Sequence, residues 1–336
     1  MRALGERDDF AMTSILRYAA RVKARTNQRA TKMLVRNKPA ITLVGTGKLA
    51  SFLALALAEA GYRIPEIVGR QRARSMRRAQ ALARRVGARA TPLDRARLDA
   101  EVLWLAVPDD EIRHVAGKLA RRMQQCPVAP NAKRSPKIAA SSFLRCAFHS
   151  SGALASCELE SLRNAGVAVA SVHPLMTFVQ KATPSLSGVP FAVEGDRNAV
   201  RIARAIVREL GGDSFPFPAG RKAAYHAWAT MTSPLLIAYL VTLEEAGRAA
   251  GLSGAKARRM SLPIVRETLE NYARLGPANS FSGPFVRGDT VTVAKHLSLL
   301  KRRPRTHAVY LALAQIALDS LPVKNRSRLH RLLGTP

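Results

Sequence analysis

The sequence is poor in cysteine and in aromatic residues. Its 336 residues include 3 cysteines, and aromatic side chains make up 5% of the chain. An odd number of cysteines without a C-x-x-C pair argues against a disulfide framework and favours a reducing compartment, so we predict a cytoplasmic protein. The histidines are widely scattered, without an H-x-x-x-H pattern, and we therefore predict no metal site.

Long apolar runs are missing as well. No uninterrupted apolar stretch approaches the roughly 18 residues that a membrane span needs. The longest candidate, Pro234 to Leu243, contains a proline and ends at Glu244 and Glu245. We predict a buried helix there and no membrane partner.

Acidic residues are scarce relative to basic ones. The chain has 54 Lys and Arg against 23 Asp and Glu, a net charge of +31. Such a field attracts polyanions, and a basic nucleic-acid-associated protein is one alternative. However, few aromatic residues accompany the bases, and Arg-rich coding of the host explains the excess equally well. We predict no specific nucleic-acid partner.

The remaining pattern divides the chain into three parts. Residues 1–38 are basic, and we predict a disordered extension or a misplaced gene start. Residues 39–218 alternate apolar strands with helices, which predicts an α/β fold with a doubly wound, mainly parallel sheet of the Rossmann type. An exposed loop is expected over residues 121–140. Residues 219–336 contain long helical stretches, which predict an all-helical second domain.

The stretch "ITLVGTGKLA" carries the strongest local signal. An apolar strand runs into Gly45-Thr46-Gly47, and a helix follows from Lys48. This G-x-G-x-x-A pattern between a strand and a helix is typical of dinucleotide binding, with the N–H groups of the loop, Lys48 and Leu49 facing the pyrophosphate. A plain strand-to-helix turn is the alternative.

The end of the second strand indicates which dinucleotide is bound. Enzymes that use NAD place an acid there, whereas an arginine accommodates the 2′-phosphate of NADP. Here the strand leads into "EIVGRQRAR", without an acid after Val68. We predict NADP(H) bound by Arg70 and Arg72, although these arginines also fit the general basicity of the chain.

Four further motifs resemble a known family. They are "AFHSSGAL", "SVHPLMTF", "KAAYHAWATMTS" and "GPANSFSGPFVRGDTVTVAKHL". Together they resemble bacterial proteins with a Rossmann-like NADP-binding domain and a helical DUF2520 domain, relatives of 6-phosphogluconate dehydrogenase, ketopantoate reductase and pyrroline-5-carboxylate reductase. The resemblance covers about residues 39–320. It implies a cofactor cleft between two domains and homodimers built through the helical domain.

The resemblance also implies site residues. Val107, Pro108 and Ser150 would lie near the nicotinamide. The helix motif normally reads Ser-Asn where this chain has Thr232-Ser233, so a hydroxyl replaces an amide that binds substrate or nicotinamide. Ser233 is therefore a candidate substrate-binding residue with altered chemistry.

Three histidines within these motifs are candidate proton donors. Reduction of a carbonyl or imine needs a donor within hydrogen-bond reach of the developing anion, and histidine titrates near neutral pH. His173 precedes Pro174 and is expected on a loop after a strand. A structural position in the core is the alternative. His149 precedes a turn of small residues. His226, beside Tyr225 on a helix, fits a structural role equally well.

The "SGPFVRGD" loop offers candidate substrate ligands. Arg287 and Asp289 would bind a substrate carboxylate and pair with a neighbouring base, or else form a structural ion pair. We predict an NADPH-dependent reductase of a small, anionic carbonyl or imine substrate. The alternative from another class is an NADP(H)-binding sensor without turnover, which the exchange at Ser233 favours.

Overall fold

The computed structural model describes residues 38–125, 144–179 and 185–334. The predicted N-terminal extension lies almost wholly outside the described residues, as does most of the loop expected at 121–140. Residues 121–125 are helical rather than part of a loop.

The strands of the described residues form one eight-stranded sheet in the order β3-β2-β1-β4-β5-β6-β7-β8. These strands are β1 Ile41–Val44, β2 Glu66–Gly69, β3 Arg89–Pro92, β4 Val102–Leu105, β5 Cys146–His149, β6 Ala168–Pro174, β7 Pro190–Gly195 and β8 Asp213–Pro216. Every pairing is parallel except that of β6 with β7. The carboxyl ends of β1, β2, β4, β5 and β6 therefore share one edge of the sheet.

Helices cover both faces of this sheet and bury its apolar strands. They are α1 Lys48–Glu59, α2 Ala73–Val86, α3 Ile112–Gln125, α4 Glu160–Arg163 and α5 Arg197–Glu209. One core packs Leu53, Leu82 and Ile206 from α1, α2 and α5 against the sheet. A second core contains Leu119 of α3 and Leu162 of α4. The predicted doubly wound Rossmann-type architecture is confirmed.

From Lys222 onward the described chain is helical, as predicted. Its helices are α6 Lys222–Thr232, α7 Pro234–Ala249, α8 Gly254–Ser280, α9 Pro284–Arg287, α10 Thr290–Leu300, α11 Pro304–Ser320 and α12 Arg326–Leu333. The chain forms two compact units that divide between Ala227 and Trp228, inside α6. The domain boundary expected between residues 218 and 219 stays a prediction.

Helix α7 differs from its expectation. The apolar run from Pro234 was predicted to be a buried helix, yet none of its residues is buried. Leu235, Ile237 and Val241 are 52%, 60% and 56% exposed. Apolar residues occur on all sides of this helix, which is the usual pattern of a buried helix. The pattern alone therefore could not show that these side chains lie outside the core of this chain. No helix in the described residues has the length and apolarity that a membrane crossing requires.

Candidate functional site

The loop between β1 and α1 has the backbone that its glycines require. Gly45 adopts φ +128°, and a Cβ on it would overlap the carbonyl oxygen of Ala106, so the position accepts only glycine. Gly47 precedes α1 with an ordinary φ of −79°, and a Cβ there would meet nothing within 4 Å. The second glycine thus leaves open space in front of a helix N-terminus, which attracts anions.

This loop lines a cavity of ≈ 270 Å³ at the carboxyl edge of the sheet. The cavity brings together six predicted cofactor residues: Gly45, Thr46, Gly47, Arg70, Val107 and Pro108. Sequence reasoning missed three polar residues that also line it, Ser75, Arg78 and Glu111. Ser75 and Arg78 lie at the start of α2, directly after the arginine-rich stretch that had suggested a phosphate site.

Arg70 is held at the rim of the cavity through its backbone. Its N–H donates to Ser75 Oγ at 2.9 Å, and Ser75 Oγ lies 3.4 Å from Thr46 Oγ1. The guanidinium is 47% exposed and contacts the Glu111 carboxylate at 3.4 Å. An exposed pair of this kind stabilises by about 0–1 kcal/mol, so a phosphate can replace Glu111 as the partner of Arg70. The open space at Gly47 and the arginines at the rim fit NADP(H).

The other predicted cofactor residues do not line this cavity. Arg72 lines an adjoining basic groove together with Arg70, Arg121 and Arg122. Lys48 is exposed at the first position of α1, and Leu49 packs against the core. Ser150 is buried, and its Oγ accepts a hydrogen bond from the Trp104 indole at 2.8 Å.

His149 ends β5 and has both ring nitrogens engaged. Nδ1 accepts the Ser151 N–H at 3.1 Å, so the ring proton is on Nε2, which donates to Ala155 O at 3.0 Å. Burial lowers the pKa of His149 to about 4. This neutral histidine fixes the loop after β5. Because both of its ring nitrogens are engaged within the protein, the geometry does not suit its predicted role as proton donor.

The loop after β5 turns around the Ser151 side chain. Its Oγ donates to Asp109 at 2.7 Å and accepts the N–H groups of Ala153 and Leu154. Ser171 on β6 adds a bond to the Ser151 carbonyl at 3.3 Å. The hydroxyl of Ser151 therefore builds the turn and joins it to the segment after β4.

His173 lies within β6 and not on the loop that the sequence predicted. The strand extends through Pro174 because it pairs with β7 as far as Phe191. His173 Nδ1 lies 2.9 Å from the Tyr225 hydroxyl, and burial lowers the pKa of the ring to about 3. A Cβ on Gly152 would lie 2.8 Å from His173 Nε2 and 2.6 Å from His226 Cδ2. The structure thus brings His173 and His226 together around Gly152.

Lys222 is a buried polar residue of this region that sequence reasoning missed. Its side chain is 2% exposed at the start of α6, and its Nζ donates to Ser151 O at 2.9 Å and to Ser171 Oγ at 2.8 Å. The spacing in "KAAYH" is a usable signal, because residues three and four apart share a helix face. It places Lys222 beside Tyr225 and His226.

The predicted substrate residues lie in the second unit. Ser233 precedes the first residue of α7. Asp289 caps α10 by accepting the Thr292 N–H at 2.9 Å and its hydroxyl at 2.7 Å. These bonds from Thr292 lower the pKa of Asp289, with a smaller contribution from Arg287. The roles of Ser233, Arg287 and Asp289 in substrate binding stay predictions.

Two family models match the chain. Residues 40–128 match a family described as "NADP oxidoreductase coenzyme F420-dependent", and residues 189–316 match the domain of unknown function DUF2520. The two regions follow each other as the motifs implied, and the predicted resemblance is confirmed. The N-terminal match is to a family of NADP oxidoreductases, which agrees with the predicted NADP(H) cofactor.

Solved structures share the fold at low sequence identity. A proposed NADP oxidoreductase from Bacteroides fragilis is 20% identical, with a TM-score of 0.62 over 82% of this chain and 96% of that one. A protein from Thermotoga maritima is 23% identical, with a TM-score of 0.61 over 88% and 98%. A pyrroline-5-carboxylate reductase from Coxiella burnetii is 15% identical, with a TM-score of 0.52 over 81% and 96%. No curated protein matches the chain.

Proposed function

We propose that the chain is an NADPH-dependent reductase of a small, anionic carbonyl or imine substrate. The observation that carries the proposal is the shared edge of the sheet. The glycine loop follows β1, Arg70 follows β2, and His173 lies near the end of β6; the carboxyl ends of these strands lie there. Ligands of open α/β sheets bind outside this edge.

The cofactor would be held by the loop and by the arginines of the rim. Gly45 and Gly47 let the backbone approach a pyrophosphate, and the N-terminus of α1 favours its charge. Arg70 and Arg78 would bind the 2′-phosphate, since guanidinium groups form paired, charge-assisted hydrogen bonds with phosphate. When bound, NADPH supplies the hydride.

His173 would act on the substrate through Nε2. Burial raises the pKa of Tyr225 to about 12, so its hydroxyl keeps the proton that it would donate to His173 Nδ1. The imidazole then carries its own proton on Nε2. Because the ring is neutral at pH 7, it would work as a hydrogen-bond donor to the developing negative charge, as in an oxyanion hole, rather than as a charged acid.

A sensor that binds NADP(H) without turnover is the second candidate. Ser233 favours it, because the family motif has an amide at this position and a hydroxyl presents fewer hydrogen-bonding groups. In this alternative the cavity lined by the glycine loop still binds NADP(H), and His173 takes part in no reaction.

Calorimetric titration with NADPH and NADH tests the cofactor part. NADPH should bind more tightly, and the absence of any binding would overturn both candidates. Small 2-oxo acids and cyclic imines would then be screened by the loss of NADPH absorbance. Oxidation of NADPH by any of them supports the reductase, whereas tight binding without turnover of the whole set favours the sensor.

The helical unit would form a homodimer. Besides α7, helix α8 exposes large apolar side chains, among them Met260, Ile264 and Tyr272. Exposed apolar patches of this kind mark protein–protein contacts. Light scattering should give twice the chain mass, and Ile264→Lys should lower it to that of one chain. A wild-type chain that stays monomeric at high concentration would refute the dimer.

A further inference from the structure

Lys222 has an unusual environment for a lysine. It is 2% exposed, and in the described residues its Nζ donates to a carbonyl and a hydroxyl rather than to a carboxylate. Burial lowers the pKa of Lys222 to about 8, against the opposing effect of Glu194 and Asp109. Burying an ammonium without an ion pair opposes folding, and an apolar side chain would fill the space at less cost. The proposed function gives no role to this lysine.

The contacts of Lys222 lead to His173 along two routes. On β6, Ser171 and His173 are two residues apart and so project from the same face of the sheet. Lys222 donates to the first of these side chains. It also donates to the Ser151 carbonyl, and the next residue, Gly152, packs against the Nε2 edge of His173.

A third route runs along α6 and closes the ring of contacts. Tyr225 is one helical turn from Lys222, whose Nζ lies 5.8 Å from the centre of the Tyr225 ring. The Tyr225 hydroxyl reaches His173 Nδ1 at 2.9 Å. We call Ser151, Gly152, Ser171, His173, Lys222 and Tyr225 the Lys222 cluster.

We propose that Lys222 is a positioning residue that fixes the Ser151–Gly152 backbone beside the Nε2 edge of His173 and, together with burial, opposes protonation of the ring. This inference rests on the role that the proposed function gives to His173. A fixed positive charge in a buried region disfavours a second one nearby. The neutral ring can then offer Nε2–H to the substrate.

The charges around His173 agree with this role. Desolvation is the largest cause of its lowered pKa, followed by the charge of Lys222 and then by His226 and His149. The acids of the neighbourhood have other partners, since Asp109 accepts from Ser151 and Glu194 from Ser156. Among the groups whose charge lowers the pKa of His173, Lys222 is therefore the one that is not a histidine.

Histidine titration by NMR tests the proposal without cofactor or substrate. In Lys222→Gln, which keeps a donor but removes the charge, His173 should titrate at a clearly higher pH than in the wild type. In Lys222→Arg, which keeps the charge, its pKa should stay low. Arg85→Gln, which removes an exposed charge at the end of α2, serves as the control and should change nothing. An unchanged His173 pKa in Lys222→Gln would overturn the proposal.

A measurement on the wild-type chain covers the case in which the variants do not fold. The His173 ring signals should shift as Lys222 loses its proton near pH 8, and signals that ignore this step count against the proposal. NADPH titration is run on the same preparation. Loss of cofactor binding would defeat the proposed function while leaving the link between Lys222 and His173 intact, so the two failures can be told apart.

Discussion

The glycine loop between β1 and α1 and the Lys222 cluster lie at the same edge of one sheet, but their neighbourhoods use charge in opposite ways. Across the cavity from the loop, Arg70 is about half exposed and is paired loosely with Glu111. In the cluster, Lys222 is buried and held by fixed neutral partners. Exposed charges exchange partners at little cost and suit a ligand that comes and goes. A buried charge cannot exchange partners in this way, and its effect is on the protonation of the groups around it.

The largest expected effect separates the two glycines of the loop. Gly45→Ala should prevent stable folding of the first unit, because its Cβ would overlap Ala106 at a backbone conformation that side chains rarely adopt. Gly47→Ala should fold normally and bind NADPH at least about tenfold more weakly, a loss of about 1.4 kcal/mol. Thermal unfolding and calorimetry measure the two effects. Normal cofactor affinity in Gly47→Ala would contradict a phosphate site at the loop.

The next effect concerns the chemistry of the cluster. His173→Ala should lower kcat about 10²–10³-fold, the usual cost of losing a donor to a developing oxyanion. NADPH affinity should change little, because the cofactor cavity is lined by other residues. If melting temperature falls while turnover per folded molecule is normal, His173 is structural and His226 becomes the candidate donor.

Acid should destabilise the first unit through His149. The unfolded chain takes up a proton on this imidazole below its ordinary pKa of about 6.5, whereas the folded chain does so near a pKa of about 4. The stability that the neutral ring provides above pH 6.5 is therefore lost as the pH falls, by on the order of 3 kcal/mol. Urea unfolding at several pH values measures this loss, and His149→Gln should show a weaker dependence on pH. Equal pH dependence in both chains would contradict the buried, neutral state of His149.

The two regions also differ in how far the sequence predicts them. The loop is a local motif, so the one segment 41–70 suffices to place Gly45, Gly47 and Arg70 around one cavity. The cluster joins segments about 50 and 70 residues apart, because Lys222 of α6 bonds to Ser171 and Ser151. Such contacts depend on the sheet order and on the pairing of β6 with β7. A single sequence identified His173 and His149 by motif but gave no sign that His149 has both nitrogens occupied.

The smallest expected effect is cofactor preference, and it tests the exposed side of the comparison. Arg70→Ala should weaken NADPH binding about 10- to 100-fold, since a hydrogen bond to a charged group contributes about 1.5–3 kcal/mol. NADH lacks the 2′-phosphate, so its affinity should stay nearly constant and the preference for NADPH should shrink. Arg84→Ala removes another exposed arginine, at the far end of α2, and should leave both affinities unchanged. High salt should reduce the wild-type preference, because exposed charges are screened. Equal affinities of the wild-type chain for NADPH and NADH would show that the arginines after β2 belong to the general basicity of the sequence.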